Sequence, residues 1–143
     1  MVVVAAIIAR DGRILACQRS RKSKFALKWE FPGGKVQPGE TPQAALEREL
    51  NEELGVRARI GEEVFRTEHK YEQMSERIAL IFFEVHIESG ALENRIFEKV
   101  EWVEPSKLGE LDFLEADREL IEKLAAREIR IEQETQDWKF ASE

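Results

Sequence analysis

Cysteine is nearly absent from this 143-residue chain: Cys17 stands alone, so no intramolecular disulfide forms and the cysteine-rich secreted and zinc-ribbon classes drop out. A reducing cytoplasm suits such a chain. Histidine is almost as scarce, since His69 and His86 lie far apart and follow no ligand spacing, and no G-x-S-x-G stretch supplies a nucleophile elbow. Long apolar runs are missing too: no segment approaches the roughly 18 residues of a membrane helix. The apolar opening from Val2 to Ala9 has no basic residue before it and runs straight into Arg10-Asp11-Gly12, which reads as a buried strand and not an export signal. Cations are in deficit, with 22 Lys and Arg against 29 Asp and Glu and a net charge of −7, so diffuse charge cannot hold a polyanion. Neither polymeric nucleic acid nor a membrane is expected as a partner, and any nucleic-acid-like ligand must be met locally.

Repeats and Gly-, Ser- or Pro-rich linkers are also lacking, so residues 1–143 read as one domain. What is present is the composition of a folded protein, 43% hydrophobic and 36% charged. Val2 to Ala9, the Asp11-Gly12 turn and Arg13 to Gln18 read as a hairpin. Thr41 offers an N-cap hydroxyl and Pro42 a first helical residue, which predicts a helix over Pro42 to Leu54 ended by a left-handed Gly55. Val56 to Thr67, Arg77 to Ile87 and Ile96 to Val103 read as strands. Pro105 leads into a second helix, clearest from Ala116 to Arg127, with Leu120, Ile121, Leu124 and Ala125 on one face. The last stretch, Glu128 to Glu143, fits helix, edge strand and docked segment alike. Strands, helix, strands, helix in this order predict an α+β fold.

Two charge patterns depart from the average. Arg19, Arg21, Lys22, Lys24 and Lys28 form a loop with five cations and no acid, either a solvated loop or a phosphate-steering rim. On the first helix, Leu46, Leu50 and Leu54 make an apolar stripe, and Glu49, Glu52 and Glu53 converge at its edge. Like charges at this spacing each cost about 0.2 to 0.5 kcal/mol even in an isolated helix, and desolvation beside the stripe costs more. Arg48 pairs with Glu52 at i, i+4, but one cation cannot neutralise them all. A hard divalent cation would, because magnesium takes oxygen ligands and keeps positions for water and phosphate. Gly33-Gly34 lets backbone approach a ligand closely and present a carbonyl, and Glu40 brings a further carboxylate to the same end.

Gly34, five residues, Glu40, seven residues, Arg48-Glu49-Leu50, one residue, Glu52-Glu53, one residue, Gly55-Val56 resembles the Nudix box at each defined position. Gln18-Arg19, Trp29 to Lys35, Glu101-Trp102-Val103 and Phe113 to Leu124 extend the likeness to the MutT-like and CTP pyrophosphohydrolase branches. The resemblance implies an α/β/α sandwich with a mixed β-sheet between helices. It also implies Mg2+-dependent hydrolysis of nucleoside triphosphates, of CTP type or oxidised guanine nucleotides, to monophosphate and pyrophosphate, with Mn2+ as a substitute metal. Alternatives are a nucleotide-sugar or dinucleotide pyrophosphatase of the ADP-ribose kind, or a nucleotide-sensing module without catalysis. The protein would act as a monomer or homodimer.

By the same resemblance, Gly34, Glu52 and Glu53 would ligate metal, Glu49 would be either ligand or general base, and Arg48 would orient the carboxylates. A further ligand would come from the loop before Trp102, Glu98 ahead of Glu101. Arg19 and Lys35 would meet the phosphates. Phe31, with Phe113, would wall the base pocket, and Asp117 aligns with a base-contacting residue that is asparagine in an 8-oxoguanine-selective member. An ionised aspartate only accepts hydrogen bonds and so favours an exocyclic amine, as on cytosine, whereas a protonated one restores guanine recognition. His69 and Tyr71 are further candidates for the cleft wall.

Overall fold

The strand at the start of the chain is apolar at every position because both its faces are covered. In the computed structural model, which describes residues 1–131, the first sheet has the order β5 (Gly33–Lys35), β1 (Val2–Ile7), β7 (Ile78–Ser89), β6 (Arg57–His69). β1 runs parallel to β7 and antiparallel to β5, so the sheet is mixed. A second sheet gathers β2 (Ala9–Arg10), β4 (Trp29–Glu30) and β8 (Lys99–Val103) around β3 (Arg13–Gln18).

Period-two alternation then feeds two cores. Val4, Ala6 and Ile8 join Leu46, Leu50 and Leu54 of helix α1 (Pro42–Leu54), while Ala5, Ile7 and Ala9 join Leu120, Ile121 and Leu124 of helix α2 (Arg118–Ala125). Ile81, Phe83 and Val85 face the first core, Leu80 and Phe82 the second. Sheet between helices is the α/β/α arrangement expected. The three α1 leucines are fully buried, each worth about 1.5 to 3 kcal/mol before ordering entropy, and that burial fixes the rotation of the acidic helix. Its ends are closed as the sequence predicts: Thr41 Oγ1 accepts from Ala44 N–H at 3.1 Å, and Gly55, at φ +68°, donates to the Asn51 carbonyl at 3.0 Å.

Three readings change. The hairpin exists only at its tip, where Ala9 pairs with Ile14 and Arg10 with Arg13 across left-handed Asp11 and Gly12, because the rest of the first strand leaves for β5 and β7. Strands β4 and β5 hide among prolines and glycines that read as loop. The second helix starts at Arg118 and stops at Ala125, preceded by 3-10 turns over Pro105–Glu110 and Glu115–Asp117. Ile129 and Ile131 pack at the edge of the α2-side core, whereas the expectation for the rest of the tail lies outside the described residues. No described helix is long and apolar enough to cross a membrane.

The β1–β5 pairing sets Ala5 opposite Gly33 and Val4 opposite Gly34. A Cβ on Gly33 would collide with the Val4 carbonyl oxygen, a backbone atom that cannot rotate away. Gly33→Ala is therefore expected to destabilise the fold by about 3 kcal/mol, read as a fall in urea midpoint; an unchanged midpoint would mean β1 and β5 are not in contact.

Candidate active site

Helix α1 meets the Gly33-Gly34 strand through its acids. Gly33 N–H donates to Glu53 Oε1 at 3.1 Å, and a Cβ on Gly34 would lie 2.6 Å from Glu49 Oε1, so glycine backbone and carboxylate are in direct contact. Glu53 is buried at 8% exposure, and burial, followed by the charges of Glu30 and Glu49, pushes its pKa up to about 9 against the Gly33 hydrogen bond. Glu49 is also raised, by burial first, although Arg48 opposes the shift.

Arg48 is the hub of the outer acids. Nε and Nη2 donate to Glu40 at 2.8 and 3.0 Å, Nη2 also to the Lys35 carbonyl at 3.1 Å, and Nη1 to Glu49 at 2.8 Å. Glu52, the partner named from helical spacing, is its most distant contact at 3.5 Å and is largely exposed. The i, i+4 rule found the most distant of these pairs, because Glu40 and the Lys35 carbonyl precede the helix and Glu49 is the adjacent residue, none of them at helical i, i+4 spacing. Glu40 is held below the usual carboxylate range by Arg48 and the Gln37 N–H.

The donor chemistry fits a hard divalent cation. Every candidate ligand is oxygen, and Glu53 carries a carboxylate that burial and two like charges all oppose, a conflict that positive charge relieves. Among the described residues no three acidic, His or Cys side chains already form a cage. Glu49 and Glu52 instead both contact Arg48. Glu98 stands elsewhere, in a two-pronged pair with Arg21 at 3.2 Å that holds it below the usual range, while its own N–H donates to the Gln18 carbonyl.

On the other side of Gly33-Gly34 lies a cavity of about 370 Å³. Arg19, Phe31, Lys35 and Asp117, which the sequence named as substrate contacts, all line it. Arg19 is braced by both oxygens of Glu30 at 3.0 and 3.2 Å and by the Lys24 carbonyl at 2.8 Å. Of the basic loop, Arg19 and Lys24 face the cavity, whereas Arg21 and Lys28 are paired with Glu98 and Asp112. Phe113 is not part of the wall; it is buried behind Phe31 at 5.1 Å between ring centroids. Tyr71 does line the cavity, with His69 packed on it at 4.4 Å.

Glu30 is the residue the sequence reading passed over. It lines the cavity, its charge acts on both Glu53 and Asp117, and burial raises its own pKa despite Arg19. A lone acid in the otherwise apolar and glycine-rich Trp29-to-Gly34 stretch was the available signal. Asp117 is 4% exposed, and its carboxyl has no hydrogen-bond partner among the described residues. Burial, then the charge of Glu30, hold its pKa well above the usual carboxylate range, which favours the protonated form, the form that both donates and accepts.

This shift has a stability consequence. A carboxyl whose folded pKa exceeds its unfolded value of about 3.9 contributes fully below that value and loses its contribution as pH climbs toward the folded pKa. Asp117→Asn is therefore expected to match the native chain in urea unfolding at pH 4 and to exceed it at pH 8; equal stabilities at both pH values would contradict the upward shift.

A family profile described as NUDIX domain matches residues 1–124. The CTP pyrophosphohydrolase of Escherichia coli K12 is 41% identical over 124 residues, covering 87% of this chain and 90% of that protein. The putative 8-oxo-dGTP diphosphatase 2 of Mycobacterium tuberculosis is 36% identical over 131 residues, covering 87% of each. The crystal structure of the MutT protein from Methanosarcina mazei superposes with a TM-score of 0.79 at 25% identity, over 90% of this chain and 94% of that one. With the whole motif-bearing region matched and the sandwich shared, the chain belongs to the NUDIX domain family.

Proposed function

We propose that this protein hydrolyses nucleoside triphosphates to the monophosphate and pyrophosphate, cytidine or oxidised guanine nucleotides first, with Mg2+, or Mn2+ in its place. One observation carries the reading. A single cavity is lined by a buried Asp117 carboxyl without a hydrogen-bond partner among the described residues, by the Phe31 ring, by Arg19 and Lys35, and by the Gly33-Gly34 strand, which also meets the acidic helix. That is the chemistry of base, then phosphates, then metal. Its volume falls within the range of about 300 to 1,000 Å³ usual for small-molecule sites. The names of the E. coli and M. tuberculosis relatives support the substrate class.

Glu53, Glu49, Glu52 and the Gly34 carbonyl would hold the divalent ion, which when bound supplies positive charge to the phosphates and acidifies water. Arg48 keeps Glu49 and Glu52 together and ties them to Glu40. Glu49, partly buried and raised in pKa, would either stay among these ligands or take a proton from the attacking water. Glu98 is a candidate further ligand only once it leaves Arg21. Arg19 and Lys35 would draw the phosphates to the glycine strand, with Glu30 keeping the Arg19 guanidinium in place. In its protonated form, which burial favours, the Asp117 carboxyl would offer one donor and one acceptor side by side, matching adjacent groups on a base edge. The protein would work as a monomer or homodimer in a reducing cytoplasm, where the buried Cys17 thiol stays intact.

Glu53→Gln is expected to lower turnover by about a hundredfold or more at saturating Mg2+ while leaving the unfolding midpoint at neutral pH unchanged or higher, since the cost of burying an acid whose pKa is raised is removed. Native turnover in this variant would overturn the role. Asp117→Ala is expected to raise KM for the preferred nucleotide by about tenfold with a smaller effect on kcat, measured by pyrophosphate release across a panel of ordinary and oxidised nucleotides. Products lacking pyrophosphate, obtained from a nucleotide-sugar or dinucleotide alone, would favour the ADP-ribose type of substrate.

A further inference from the structure

The only tyrosine in the chain, Tyr71, makes a contact that the hydrolytic site does not call for. It sits on the connection between β6 and β7, yet its hydroxyl oxygen accepts the backbone N–H of Ala116 at 3.1 Å, 45 residues away. Ala116 belongs to the short 3-10 turn Glu115–Asp117, whose early N–H groups have no partner within the turn. Asp117 is the last residue of that turn, and its own N–H donates to the Leu114 carbonyl at 3.0 Å. Leu114 N–H in turn donates to the Trp29 carbonyl at 2.9 Å. One end of the turn is therefore anchored on β4, and its middle is anchored by Tyr71.

The phenol is itself held. Its ring lies 4.8 Å from Phe25 and 4.4 Å from His69, and the neighbouring Gln73 carbonyl accepts from Lys24 Nζ at 3.3 Å. Tyr71, Ala116 and Asp117 all line the same cavity. A carboxyl without a fixed partner of its own takes its direction from the backbone that bears it.

We propose that Tyr71 is a positioning residue for base selection: by accepting the Ala116 N–H, its hydroxyl sets the turn that aims the Asp117 carboxyl into the cavity. The inference rests on the nucleotide reading above and adds to it the residue through which Asp117 discriminates. A tyrosine that served packing alone would do so equally well as phenylalanine.

CTP and UTP are the probes, since they share ribose and triphosphate and differ in the donor and acceptor order of the base edge. The native chain is expected to separate them in kcat/KM. Tyr71→Phe keeps the ring contacts and is expected to reduce that ratio by about tenfold, mostly through KM. In an Asp117→Ala background the same change is expected to alter the ratio by less than about twofold, because both act through one carboxyl. A ratio unmoved by Tyr71→Phe, an effect that persists in full without Asp117, or a native chain that does not separate the two nucleotides overturns the proposal. A native chain that hydrolyses no nucleoside triphosphate overturns the underlying reading and the proposal with it. A second measurement needs no substitution: fluorotyrosine labelling yields one fluorine resonance, expected to shift on saturation with CTP and not with inorganic pyrophosphate. No shift with CTP, or the same shift with both, also overturns the role.

Discussion

The contact on which the site depends is the one between the Gly33-Gly34 backbone and the acidic edge of helix α1. Gly33 donates to Glu53, and Gly34 leaves room for the Glu49 carboxylate. Without side chains on that strand, helix and sheet approach closely enough for carboxylates to be buried against main chain. The same two residues form part of the wall of the cavity on their other side. A short, bare strand thus joins a charged surface to an apolar pocket.

Electrostatic tension accompanies this closeness. Burial raises the proton affinity of Glu30, Glu49 and Glu53, the charges of Glu30 and Glu49 raise Glu53 further, and the available cations are placed at the periphery: Arg48 on the outer acids, Arg19 on Glu30. Each arginine touches several partners at once, which keeps the carboxylates ordered without neutralising the innermost one. A protein that needed only stability would gain from an apolar residue at Glu53. Keeping a charge where burial opposes it makes physical sense when a cation belongs there.

Much of the helix and its chemistry was legible in the chain. Thr41, Pro42 and Gly55 bounded α1 to the residue, because cap chemistry is local. The leucine stripe set which face is buried, and so which glutamates lie at its edge. The four substrate contacts named from family likeness meet in one cavity although they come from distant segments. Less legible were β4 and β5, whose glycines and prolines obscure short strands, and the departure of β1 from its hairpin, since an apolar run on both faces serves a two-sided sheet as well as a ribbon. Glu30 was passed over although it is the lone acid of its stretch, and Tyr71, named as a wall candidate, gave no local sign of its hydrogen bond to a residue 45 positions away.

The sequence by itself determined local matters: the ends of α1, the turn at Asp11-Gly12, the amphipathic faces, and the clustering of glutamates one turn apart. These follow from backbone propensity and period, which act over a few residues. Tertiary structure decided which of those glutamates lost water. Glu53 went inside, Glu52 stayed out, and Glu98 turned to Arg21, since desolvation is a property of packed neighbours and not of spacing. It likewise decided that Asp117 is buried beside Glu30 and that Tyr71 accepts the backbone N–H of Ala116 next to it, contacts that exist only after distant strands have paired.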